Sequence, residues 1–149
     1  MKKPNLKPKV RFFLIIALLL TIFVRCNEKG TKFPYVSVYI TLSLDTQLEN
    51  MVVGDFREID GYGLGGLIIY RSDFNQFLAF DRACTHEASS DCILQKDSEY
   101  EGVLVCPCCG SEFWMVSSLA GGVKETPATY PLKQYRCTFD GINTIRVTN

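Results

Sequence analysis

The sequence holds a single histidine, His86, in 149 residues. A lone imidazole excludes, within one chain, any centre that needs two histidine ligands, and no Ser/His/Asp set assembles around it. No glycine-rich phosphate loop is present. No apolar run reaches the roughly 18 residues of a bilayer-crossing helix. Beyond position 26 no stretch sustains a 3.6-residue period, apart from the ambiguous segment Gln47–Phe56, and there is no repeat or low-complexity tract. The formal net charge is zero, but six of the sixteen basic residues and none of the sixteen acidic ones lie in the first 25 positions. That leaves ten basic against sixteen acidic residues beyond, so the body lacks the basic face that nucleic-acid binding requires. With 47% apolar and 21% charged residues, the composition is that of one ordinary globular domain. It excludes a disordered tail, a collagen-like fibre and a multi-span membrane protein.

What is present begins with a basic cluster, Lys2, Lys3, Lys7, Lys9 and Arg11, followed by 13 apolar or near-apolar residues, Phe12 to Val24. A helix of that length reaches about 20 Å, short of the roughly 30 Å hydrocarbon core. This is the profile of a signal peptide. Cys26 stands just after the run, where a bacterial lipoprotein carries its acylated cysteine, with Arg25 in a place where a small residue is expected. An uncleaved N-terminal anchor is the alternative. On this reading residues 1–25 are a signal or anchor segment and 26–34 a polar tether broken by Gly30 and Pro34. Residues 35–149 are the folded domain, exported and held at a membrane of the bacterial cell envelope or periplasm.

In the body, Val36 to Leu44 alternates apolar and polar residues at period two and is rich in strand formers. Leu67–Tyr70 and Phe77–Phe80 read as a hairpin across Asp73, Asn75 and Gln76. Leu132–Phe139 and Ile142–Val147 read as a closing hairpin around Asp140-Gly141. Trp114, Phe77, Phe80 and Tyr135 read as core aromatics. Many short strands with glycine-rich turns predict an all-β antiparallel sandwich or barrel.

Two cysteine-bearing segments each follow a predicted strand. The first is Cys84-Thr85-His86, after FLAF. The second is Cys106-Pro107-Cys108-Cys109-Gly110-Ser111, after GVLV. A CxH and a CxxC from adjacent loops of one sheet can close a metal site, and thiolate with imidazole suits zinc and iron–sulfur clusters.

Here the sequence resembles the Rieske-type [2Fe–2S] proteins, whose pattern is a CxH loop and, some 15 to 20 residues later, a C-P-x-H-G-S loop. In this chain 19 residues separate His86 from Cys106. The resemblance runs from roughly Val36 to the C-terminus and includes FLAFDRACTH, Gly110-Ser111 with Phe113, and the run Pro127-Ala128, Pro131-Leu132 leading to Tyr135. It implies a Rieske-like antiparallel β-sandwich with two metal-binding loops at one tip, and a proline-bearing loop with Pro127 covering the cluster. The chain departs at the fourth ligand, where Cys109 replaces the family's second histidine. The carried-over set is Cys3His, with Cys84 and Cys106 on one iron and His86 and Cys109 on the other. Such ligation of [2Fe–2S] occurs in NEET-type proteins of a different fold, and Cys3His is equally a structural zinc set. Ser111 matches the serine whose hydroxyl donates to a cluster sulfur. Phe113 stands where the cytochrome bc-type branch has a donating tyrosine. That branch also bridges its two loops with a disulfide, which points here to Cys92 and Cys108. Cys137 reads as a packed thiol.

The expectation is a membrane-tethered, one-electron carrier or redox subunit rather than a stand-alone enzyme, with a [2Fe–2S] cofactor and an unidentified redox protein or envelope complex as partner. Two alternatives stand beside it. One is a zinc-binding or metal-free interaction module of the envelope. The other is a thiol sensor built on Cys92, Cys108 and Cys109.

Overall fold

The computed structural model describes residues 33–149. The signal or anchor segment, Cys26 and most of the tether lie outside the described residues. Among the described residues no helix is long and apolar enough to cross a membrane.

Strands β1 (Tyr39–Ser43), β2 (Phe56–Ile59), β3 (Leu67–Asp73) and β4 (Gln76–Asp81) come first. Strands β5 (Gln95–Lys96), β6 (Val103–Val105), β7 (Glu112–Trp114) and β8 (Val123–Glu125) follow. Strands β9 (Gln134–Phe139) and β10 (Thr144–Thr148) close the chain. They form a six-stranded sheet in the order β1-β10-β9-β4-β3-β2 and a four-stranded sheet in the order β5-β6-β7-β8. Neighbours pair antiparallel throughout. The all-β antiparallel class expected from the sequence is the observed one.

The hairpin β3–β4 runs in register from Leu67↔Asp81 to Tyr70↔Leu78. Its apolar runs do not alternate with polar residues because both faces are covered. Leu67, Ile69, Phe77 and Ala79 enter one core with Leu42, Ile145 and Val147. Ile68, Tyr70 and Phe80 enter the other, where they meet Leu104 and Phe113 of the small sheet and Met115 just after β7. Phe113 is fully buried there, a burial that contributes roughly 1.5–3 kcal/mol. The closing hairpin turns at Asp140, whose Oδ1 accepts the amides of Ile142, Asn143 and Thr144 at 2.9, 3.1 and 3.0 Å. Trp114 departs from its core reading. It is half-buried, with the Lys124 ammonium 5.5 Å over its ring.

The topology sets the stage for the site. Strands β4 and β9 are neighbours, with Ala79 opposite Tyr135 and Phe80 opposite Gln134, and the Asp81 amide donates to Lys133 O at 2.8 Å. Between these adjacent strands the chain crosses to the small sheet, builds all four of its strands, and returns. Both crossings pass the same end of the molecule, and the cysteines of the two loops stand there.

Candidate metal centre

The first cysteine loop leaves β4 through Arg82 and Ala83. It is closed by pairing of residues 82–84 with 92–94. Cys84 N donates to Cys92 O and Leu94 N to Arg82 O, both at 2.9 Å, around a bridge between Ala83 and Ile93. The second loop joins β6 to β7. The two loops share one backbone device. Ala88 N donates to Cys84 O and Gly110 N to Cys106 O, each at 2.8 Å. In both, the donating residue is in the left-handed region, at φ 48° for Ala88 and 76° for Gly110. Each turn presents its leading cysteine inward, where Cys84 and Cys106 are buried. Gly110 makes this turn without the strain a side chain would meet.

The sulfurs of Cys84, Cys106 and Cys109 converge within 4.8 Å of one another, and Cys84 and Cys109 are 3.7 Å apart. Burial, reinforced by the two neighbouring thiols, pushes the Cys84 thiol up to about 12. Burial also opposes ionisation of Cys109. Hydrogen bonds from the Ser111 hydroxyl and amide, and from the other two thiols, nevertheless bring it below the ordinary thiol value. A thiol poised toward thiolate beside two buried ones is a soft donor set, of the kind that binds iron or zinc. His86, two residues after Cys84, is half-buried. Its imidazole is not in the group of donors within 4.8 Å.

A third segment, residues 126–132, lies against both loops. The fully buried hydroxyl of Ser111 accepts the Ala128 amide at 2.8 Å and stands 3.1 Å from Cys109 Sγ. The Thr85 hydroxyl donates to Tyr130 O at 2.7 Å. Pro127 is exposed and precedes the buried Ala128. Phe113 packs in the core between the sheets. Cys92 and Cys108 are joined by a disulfide, with Cα atoms 5.7 Å apart, which fastens the first loop to the second. Cys137 lies apart on β9, a free thiol that burial raises to about 11.

Sequence reasoning missed the partners that hold these loops, namely Thr85 with Tyr130, the Ala128 amide, and Asp81 with Tyr135. In the sequence the glycines at 61, 63, 65 and 66 read only as a turn region.

A family model of the Rieske [2Fe-2S] domain matches residues 43–136, the span that contains both cysteine loops and the segment 126–132. No curated protein matches the chain. The similar solved structures include three ferredoxin or ferredoxin-containing ones. One is described as a complex of reduced oxygenase and oxidised ferredoxin in carbazole 1,9a-dioxygenase, at 25% identity over 74% of this chain and 93% of that one, with a TM-score of 0.46. The second is Sphingomonas yanoikuyae B1 ferredoxin, at 22% identity over 75% and 99%, with a TM-score of 0.45. The third is the ferredoxin of carbazole 1,9a-dioxygenase from Nocardioides aromaticivorans IC177, at 20% identity over 76% and 98%, with a TM-score of 0.44.

Proposed function

We propose that this chain, which belongs to the Rieske [2Fe-2S] domain family, is a one-electron carrier of the bacterial cell envelope that holds its cluster through Cys84, His86, Cys106 and Cys109. The observation that carries the reading is the meeting of three sulfurs from two loops within 4.8 Å, inside the span the family matches. Thiolates are the ligands such a cluster takes. Cys109 stands in the place of the second histidine, so the set is Cys3His. When bound, the cluster accepts and returns a single electron.

The chain's own residues supply the rest. The disulfide and the bonds of Thr85 and Ser111 hold the two loops and the covering segment in fixed relation, so the donors keep their places whichever charge the centre carries. Ser111 directs its hydroxyl at Cys109, where a donated hydrogen bond draws charge from the sulfur. Phe113 gives no second donor. The apolar packing around Cys84 and Cys106 keeps water from the buried side. The N-terminal segment exports the domain and tethers it to the membrane, with Cys26 acylated, and the partner is a redox protein or envelope complex docked at the loop end.

Iron, acid-labile sulfide and absorbance of the full chain, extracted anaerobically in detergent, test the reading. Two irons and two sulfides in a brown protein are expected. A colourless protein with zinc or no metal overturns it. His86→Ala that retains two irons and an unchanged spectrum removes His86 from the ligand set. A free Cys26 thiol in membrane-bound protein rejects the lipid.

A further inference from the structure

The glycine-rich segment Asp60–Gly66 (DGYGLGG) wraps a buried charge. Asp81, the last residue of β4, is fully buried, and both its oxygens are bonded. Oδ2 accepts the Leu64 amide and the Tyr135 hydroxyl, each at 2.7 Å. Oδ1 accepts the amides of Gly65 at 2.9 Å and Ala83 at 2.8 Å. All four partners donate, so they hold the ionised carboxylate, which has only acceptor sites. Burial, with the bond to Asp81, keeps the Tyr135 hydroxyl well above its ordinary range and therefore a donor. The glycines follow from the same need. A Cβ on Gly63 would run into the Asp81 carboxylate, and one on Gly65 would lie 2.6 Å from Ala83 N. The neighbour of Asp81, Arg82, turns to Glu58 and Asp60.

Ala83, whose amide the carboxylate holds, directly precedes Cys84. Summing the hydrogen bond and the covalent chain places the Asp81 charge within about 11 Å of the Cys84 sulfur. That is close to a Debye length at ordinary salt, and a buried charge is screened much less than an exposed one. The geometry points to Asp81 as a positioning residue that also lowers the potential of the metal centre, acting through the Ala83 amide and through its buried charge. This rests on the [2Fe–2S] reading above. A fixed negative charge opposes arrival of an electron, and the four donors set how much of that charge reaches the centre.

The two effects separate by sign. Asp81→Asn keeps the shape, removes the charge and sets a donating amide nitrogen against two donors; stability falls, and the midpoint of the loaded full-length protein rises. Tyr135→Phe keeps the charge and removes one donor, so the midpoint falls. A merely structural role moves both variants in one direction or costs both of them cluster. The measurement is a redox titration of wild type and both variants, with iron content and absorbance recorded alongside. Opposite shifts at two irons per chain support the assignment. Shifts of one sign, or none, in loaded variants overturn it. If Asp81→Asn fails to load, Tyr135→Phe decides alone: a fall supports, no change or a rise overturns. A wild type without two irons overturns the cluster reading and this assignment with it. A loaded wild type with unmoved variants overturns this assignment only.

Discussion

Removing the cross-link between the two cysteine loops gives the most quantitative test of the architecture. The double variant Cys92→Ala, Cys108→Ser cuts it without leaving a stray thiol beside the three convergent sulfurs. The bridge spans a sequence separation of 16. In the chain-entropy treatment, closing a loop of that size contributes about 3 kcal/mol at 25 °C. Unfolding entropy near 2.1 cal/mol/K per residue over the folded body, about 115 residues, gives roughly 0.25 kcal/mol/K, so the loss corresponds to about 12 °C in Tm. The assay is thermal unfolding of the metal-free protein by circular dichroism, with and without reductant. Oxidised wild type should melt about 12 °C above the variant, and reduced wild type should coincide with the variant. A variant within about 3 °C of oxidised wild type refutes the reasoning. So does a variant that falls while reduction leaves wild type unchanged, because the loss would then be one of packing.

Ser111→Ala leaves the buried Ala128 amide without its acceptor. It should cost about 1–3 kcal/mol in urea unfolding of the metal-free protein and lower the midpoint of the loaded one; unchanged values in both would contradict the bonding described. Cys109→His replaces a thiolate by a neutral imidazole, so the midpoint should rise toward the two-histidine range, and voltammetry that finds a fall argues that Cys109 is not a ligand. Burial raises the Cys137 thiol from 9.0 to about 11. The unfolded chain therefore releases its proton first as pH rises, and stability present below pH 9 is lost on the way to pH 11. Allowing for partial exposure, wild type should lose about 1 kcal/mol more than Cys137→Ala between pH 8 and 10.5; equal losses in urea unfolding at the two pH values would show the thiol is not held up by burial.

The sequence was most legible where one signal sufficed. The two hairpins β3–β4 and β9–β10 stand where apolar runs flank turn residues, and the cysteine spacing picked out three sulfurs that the structure brings together. Strand β2 was not legible. Its four residues, Phe56-Arg57-Glu58-Ile59, are half-buried or exposed, and residues just before it are occupied by turns, so no period of two develops. Strands β5 and β8, of two and three residues, exist through their pairing with β6 and β7 rather than through propensity. Asp81 reads in sequence as a solvated strand end. Only the fold brings Leu64, Gly65 and Tyr135 around it, because those donors come from 16 to 54 residues away. Trp114 misled because a large ring can be half-covered by a neighbouring lysine instead of the core.

The small sheet is an excursion from two adjacent strands of the large one, and the three sulfurs and the disulfide stand at its neck. The ligand loops belong to opposite sides of that neck, one on the outward crossing and one on the excursion itself. Whatever occupies the sulfurs therefore works as a clasp as well as a redox group. It closes the lobe β5–β8 onto the β3–β4–β9–β10 frame, and its binding energy becomes docking energy for the lobe. Stripping the metal and reducing the bridge should lower the free energy at which the lobe opens as a unit, although its core with β3 and β4 still holds it in place. Amide exchange would then rise in Gln95–Glu125 while the frame strands stay protected.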